Sequence, residues 1–173
     1  MTVERPKGPA PKPLYTIAER ARRDASPWTL VQGVLAPLQF IVFLVSLALV
    51  ARFLLTGLGE TAATASIVVK TMVLYAIMIT GAIWEKVVFG RYLFADAFFW
   101  EDVVSMLVIA LHTAYLAALL FNLTSVTNQM WLALAAYATY VVNAAQFLLK
   151  LRAARLSATG TRGPAGDFAE QAT

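Results

Sequence analysis

The sequence predicts an all-α integral membrane protein, a four-helix transmembrane bundle with both termini cytoplasmic. Three observations predict it. Hydrophobic residues make up 60% of the 173-residue chain and charged residues only 14%. An ordinary soluble domain carries roughly 25% charged residues, so something other than water must face much of this surface. Four apolar stretches each reach the ~20 residues that a helix needs to cross a bilayer. The basic residues then fall almost entirely on one side of those stretches.

Residues Met1 to Pro13 hold four prolines and three basic residues, a disordered basic tail without apolar payload. Residues 14–25 read as an interfacial amphipathic helix. Thr16 and Glu19 fit a capping box, and Arg20, Arg22 and Arg23 would meet anionic headgroups. The membrane domain follows over 26–155. Ser26-Pro27 is an N-cap serine with proline at the first helical position. Span one runs from Trp28 to Leu55 and is too long for a signal-peptide core. Pro37 should kink it or open its hydrogen-bond ladder, and Gly57-Leu58-Gly59 ends it. Spans two, three and four run from Ala63 to Phe89, Phe98 to Phe121 and Gln129 to Leu151. The tail over 156–173 is rich in Gly, Ala, Ser and Thr and is expected to be disordered. With no β-alternation and no tolerance for open strands in lipid, a helical bundle follows.

Charge counting supplies the orientation. Four spans place twelve of the fourteen basic residues on the side of the termini and leave Arg52 and Lys70 on the other. The positive-inside rule makes the first side cytoplasmic. Topology accounts for the basic tails, and no nucleic-acid partner is expected. The chain has no cysteine and one histidine, which excludes disulfides, thiolate chemistry and a multi-histidine metal site.

Ionisable groups inside a membrane are expensive and are functional candidates by default. Glu101, Ser105, His112 and Tyr115 fall within about 80° of one another on span three, and Asp102 lies about 100° round from Glu101. His112 sits about 16 Å deeper than Glu101. Span four carries Tyr137, Tyr140, Asn143 and Phe147 on one stripe, bordered by Gln146 and Lys150. Span one carries Gln32, Gln39 and Ser46, and span two carries Thr71, Met78 and Glu85. The economical arrangement turns all four stripes inward; Gln39 and Asn143 then also suit plain helix-to-helix bridging. Glu85, Asp96, Glu101 and Asp102 gather at the cytoplasmic ends of spans two and three, where only Lys86 and Arg91 offset them. Trp84, Phe89, Tyr92, Phe94, Phe98, Phe99 and Trp100 crowd the same end, either as an interfacial aromatic belt or as an apolar platform for a planar ligand.

Three runs carry a resemblance: DASPWTLVQG from Asp24 to Gly33, WEKVVFGRYLFADAFFWEDVVSM from Trp84 to Met106, and AAYATYVVNAAQFLLKLRAAR from Ala135 to Arg155. They are similar to the vinyl bacteriochlorophyllide hydratases of photosynthetic bacteria, over about Leu14 to Arg155. The resemblance implies a hydro-lyase of bacteriochlorophyll synthesis in the bacterial inner membrane, cytoplasmic or intracytoplasmic. Water would add across the C3-vinyl group of a chlorophyllide-type tetrapyrrole to give a 1-hydroxyethyl group. No residue roles come with the resemblance.

The reaction needs a protonated acid, a positioned water and a dry slot for the ring. It needs no cofactor, since the substrate carries its own magnesium. Glu101 is the first candidate for the acid, with Asp102 or Glu85 as base or water-orienting partner, because neighbouring carboxyls divide those roles. His112 competes as proton relay or as ligand of the substrate's magnesium. Tyr140, Asn143 and Gln39 are candidates for holding the water or a ring carbonyl, Trp100 for the ring face and Lys150 for the propionate. Two other readings stand beside the hydratase: a non-catalytic pigment-binding or assembly protein, and a small transporter, which the lack of paired broken helices disfavours. The chain could form a homo-oligomer through small-residue faces or associate with other pigment-synthesis enzymes.

Overall fold

The computed structural model describes residues 14–160, with side chains to Arg155. The tail expected over 1–13, and 161–173 of the second tail, lie outside the described residues. Five helices are present: α1 (Ile17–Ala25), α2 (Pro27–Thr56), α3 (Glu60–Phe89), α4 (Phe99–Leu120) and α5 (Val126–Gly160). The last four are long and apolar enough to cross a membrane.

Local chemistry sets the helix ends. In α1 the Thr16 hydroxyl accepts from the Glu19 N–H at 3.2 Å, and the Glu19 carboxylate accepts from the Thr16 N–H at 2.7 Å. That is the capping box read from the sequence. The backbone N–H of Thr16 is the main reason the Glu19 carboxyl is held below its ordinary pKa of 4.5. Ser26 caps α2 by accepting from the Trp28 N–H, with Pro27 in the first turn. The helix runs unbroken through Pro37, whose missing N–H leaves a gap in the ladder at the Gly33 carbonyl. Gly57 (φ 71°) and Gly90 (φ 83°) end α2 and α3 in the left-handed region, where a residue without Cβ fits at no steric cost. Helix α5 starts three residues before the expected fourth span and continues to Gly160, past the expected end of the membrane domain.

Short connections make two hairpins, α2/α3 and α4/α5, which close into a bundle where α2 meets α5 and α3 meets α4. The central core draws Phe43 and Val50 from α2, Ile67 and Leu74 from α3, Val108 from α4 and Tyr137 from α5. Only 22% to 28% of each span's most apolar window is buried, so the outward apolar faces require lipid. Helix α1 lies on α3, tied by the Arg22 Nε donating to the Val88 carbonyl at 2.8 Å. Arg23 lies over the Tyr15 ring at 4.8 Å. Burial raises the Tyr15 phenol above its ordinary pKa, and Arg23 opposes that shift.

Candidate active site

The four polar stripes do turn inward. Gln39, Ser46, Thr71, Glu85, Glu101, Asp102, Ser105, His112, Tyr115, Tyr137 and Tyr140 are all buried. They form two separate centres.

The first lies at the end of the bundle that carries the termini. Glu85 from the last turns of α3 and Asp102 from the first turns of α4 are 5% and 3% exposed. Their carboxyl groups lie within hydrogen-bonding reach of one another. The connection between α3 and α4 folds over them. The Phe94 N–H donates to Asp102 at 2.7 Å and the Ala95 N–H to Glu85 at 3.4 Å. Glu101, one residue along, turns away from this pair and meets the Lys150 ammonium of α5 at 2.5 Å. Lys150 also donates to the Ala97 carbonyl and lies 5.1 Å above the Phe98 ring. Asn143 Nδ2 donates to the Glu101 carbonyl at 2.9 Å and to the Ser105 hydroxyl at 3.0 Å.

Glu101, first candidate for the acid, is an ion-paired carboxylate, so Glu85 and Asp102 form the carboxyl pair. Lys150, expected to take a propionate, is committed to Glu101 and Ala97. Asp96 is not part of the cluster; its side chain is exposed and lies 3.6 Å from Arg91. The aromatic residues divide. Phe98 is buried with Tyr15 and Val88, against Trp84, Phe89 and Phe147, so these serve as core. Tyr92, Phe94, Phe99 and Trp100 are exposed, Trp100 at 68%. Phe94, Phe99 and Trp100 touch in series, with centroids 5.8 and 5.4 Å apart.

The second centre lies in mid-bundle. Charge counting puts Lys70 on the far side of the membrane; it is instead fully buried, at 0% exposure, one third of the way along α3. Its Nζ lies 2.8 Å from His112 Nε2 and over the rings of Tyr140 (4.4 Å) and Tyr137 (5.0 Å). His112 Nδ1 lies 2.8 Å from the Val108 carbonyl. A carbonyl only accepts, so Nδ1 carries the hydrogen and Nε2 is free to accept from Lys70. Both ring nitrogens are thus engaged within the bundle. Tyr137 also shares a 2.5 Å hydrogen bond with Ser46. Gln39 is buried with neither amide atom hydrogen-bonded. The signal for Lys70 was in the sequence: it stands seven residues inside the predicted second span, too deep for a loop charge.

A depression of about 360 Å³ at the opposite end, lined by Glu60, Thr64, Leu119 and Gln129 among others, touches neither centre. Among the described residues no group of three His, Cys, Asp or Glu side chains could hold a metal ion.

Fold and site together define a multi-pass helical membrane protein with a sealed carboxyl pair at one end of its bundle. The chain belongs to the 2-vinyl bacteriochlorophyllide hydratase family, whose model matches residues 15–153. It is 69% identical over 153 residues to the 2-vinyl bacteriochlorophyllide hydratase of Rhodobacter capsulatus, covering 88% of this chain and 89% of that one. It is 70% identical over 143 residues to the protein of the same name from Cereibacter sphaeroides, covering 83% and 89%. No solved structure matches.

Proposed function

We propose that this protein hydrates the vinyl group of a bacteriochlorophyllide in bacteriochlorophyll synthesis, with Glu85 and Asp102 as its acid–base pair. The observation that carries the assignment is the buried contact between these two carboxyls beneath backbone N–H donors. The family relationship supports the reaction itself.

Two carboxyl groups in such contact hold one proton between them. That proton passes to the terminal vinyl carbon, which becomes a methyl group. The cation left on the inner carbon is delocalised into the macrocycle. A water oxygen bonds to that carbon and its surplus proton returns to the carboxyl pair. One water is consumed, and no electron is gained or lost, so the step itself requires no redox partner. Glu101 keeps the Lys150 cation beside the pair, where it can stabilise the carboxylate after proton transfer. The exposed Phe94, Phe99 and Trp100 rings offer an apolar ledge of mutually tilted rings beside the site, against which the macrocycle can pack. The excess of basic residues on this side of the spans supports a cytoplasmic orientation for this end, and the bacterial relatives support an inner-membrane location.

The test is turnover of a vinyl bacteriochlorophyllide by the purified protein in detergent, read as the blue-shifted band of the hydroxyethyl product. Wild type should convert it with water alone. Glu85→Gln and Asp102→Asn should each lose at least about 100-fold in kcat, with Glu101→Gln affected less. Turnover within a few-fold of wild type in both pair variants would sink the assignment.

A further inference from the structure

We infer that Phe94 is a positioning residue for the Glu85–Asp102 pair: its left-handed backbone aims two successive N–H groups at the carboxyls. The inference rests on the pair being the acid–base centre.

Phe94 has φ 59°, one of two non-glycine residues in the described chain with positive φ. A bulky side chain rarely enters that region, because its Cβ crowds the backbone. Glycine would satisfy the turn without strain, so a phenylalanine there must be held by its surroundings. Its ring lies 5.8 Å from Phe99, whose ring lies 5.4 Å from Trp100. Both belong to the first turn of α4, the turn that leads into Glu101 and Asp102. The ring thus anchors the strained residue to the element that carries half of the carboxyl pair.

The product of that geometry is a pair of consecutive donors, Phe94 N–H on Asp102 and Ala95 N–H on Glu85. Successive backbone N–H groups around a left-handed residue make an anion-receiving concavity. When the pair gives its proton to the vinyl carbon, negative charge grows on the carboxyl oxygens. Donors already aimed there favour that charge in the transition state without reorganising. The strain at Phe94 therefore acts on kcat, through the pair, rather than on ground-state binding alone.

The experiment compares Phe94→Gly, Phe94→Ala and Phe94→Val, measuring kcat and KM for a vinyl bacteriochlorophyllide in detergent. All three lack the ring, so any shared rise in KM reports the lost ledge. They differ in how readily the backbone turns left-handed: glycine freely, alanine with strain, β-branched valine least. We expect kcat to fall in that order, with valine about 100-fold below glycine, as when an oxyanion donor is lost. Equal kcat in all three overturns the inference. Elution volume and helical circular dichroism check folding, and the alanine–glycine comparison decides alone if the valine variant misfolds. Glu85→Gln and Asp102→Asn, run alongside, separate the failures. If they are inactive while the Phe94 series is flat, only the role of Phe94 falls. If they remain active, the pair and this inference fall together.

Discussion

Gln39 offers a measurement of what the interior of this bundle costs. It is 1% exposed, and neither its amide oxygen nor its amide nitrogen has a hydrogen-bond partner. A buried polar group without a partner costs about 1–3 kcal/mol. Methionine matches glutamine in length and flexibility, and Gln39→Met removes both orphan atoms without breaking a bond. The variant should be more stable by about that amount. For a chain of this size each kcal/mol moves the midpoint by about 2–4 °C, so Tm should rise by about 2–12 °C. The assay is thermal unfolding in detergent without pigment, followed by tryptophan fluorescence and by size exclusion of heated samples. An unchanged or lowered Tm refutes the reasoning, and means that the amide is satisfied by something such as an internal water. Turnover on the same samples adds the functional half. A higher KM in the stabler protein marks Gln39 as a substrate contact, and an unchanged KM marks it as a buried polar residue of the bundle alone.

Lys70→Met should leave His112 Nε2 without its donor, at a cost of about 1–3 kcal/mol, and should lower kcat with it by loosening the contact between α3 and α4. Phenylalanine substitution of both Lys70 and His112 restores an apolar interior and should recover stability but not rate; recovery of both makes the centre purely a packing feature. Thr16→Ala should remove the α1 capping box and fray that helix, seen as faster amide exchange over 17–25 with the spans unchanged. The same box carries a pH dependence. Glu19 titrates below its ordinary value in the folded protein, so its contribution is complete above about pH 4.5 and is lost as pH falls through the lower, folded value.

What the sequence made legible was local. The capping box at Thr16, the Ser26-Pro27 start and the glycine stop at Gly57 act within a turn of themselves, so reading them needs no partner. The inward polar stripes were legible for the same reason, since helical period alone puts Glu101, Ser105 and His112 on one face. Pairing between helices was not. Glu101 and Asp102 are adjacent, and the 100° between them sends one to α5 and the other to α3. Which carboxyl meets Lys150 and which meets Glu85 depends on how α4 is rotated in the bundle, a property of packing and not of α4's own sequence. Lys70 was misplaced because charge counting treats lysines as loop markers. Its two tyrosine faces and its histidine come from other helices. The conformation of Phe94 was hidden for a different reason. Positive φ is signalled by glycine or asparagine, and a phenylalanine gives no such sign.

The two polar centres differ in a way that bears on which one reacts. Lys70 and Glu85 lie on the same helix, about 22 Å apart along its axis. In mid-bundle, His112 uses both ring nitrogens and Lys70 is enclosed by His112 and two tyrosine rings. A ligand entering there would have to break those contacts in the part of the bilayer where replacement is most expensive. The carboxyl pair is instead covered by a connection between helices, and its donors come from that connection's backbone. The role left for the mid-bundle centre is to join α3 to α4. The hairpins α2/α3 and α4/α5 are each extensively packed, whereas α3 and α4 touch sparingly. Lys70 with His112, and Tyr75 with Thr113 at 2.7 Å, are polar cross-links between them. Since α3 supplies Glu85 and α4 supplies Asp102, a cross-link that sets the approach of these helices also sets the approach of the two carboxyls. A buried lysine about 22 Å along α3 from Glu85 thus bears on how closely the two carboxyls approach.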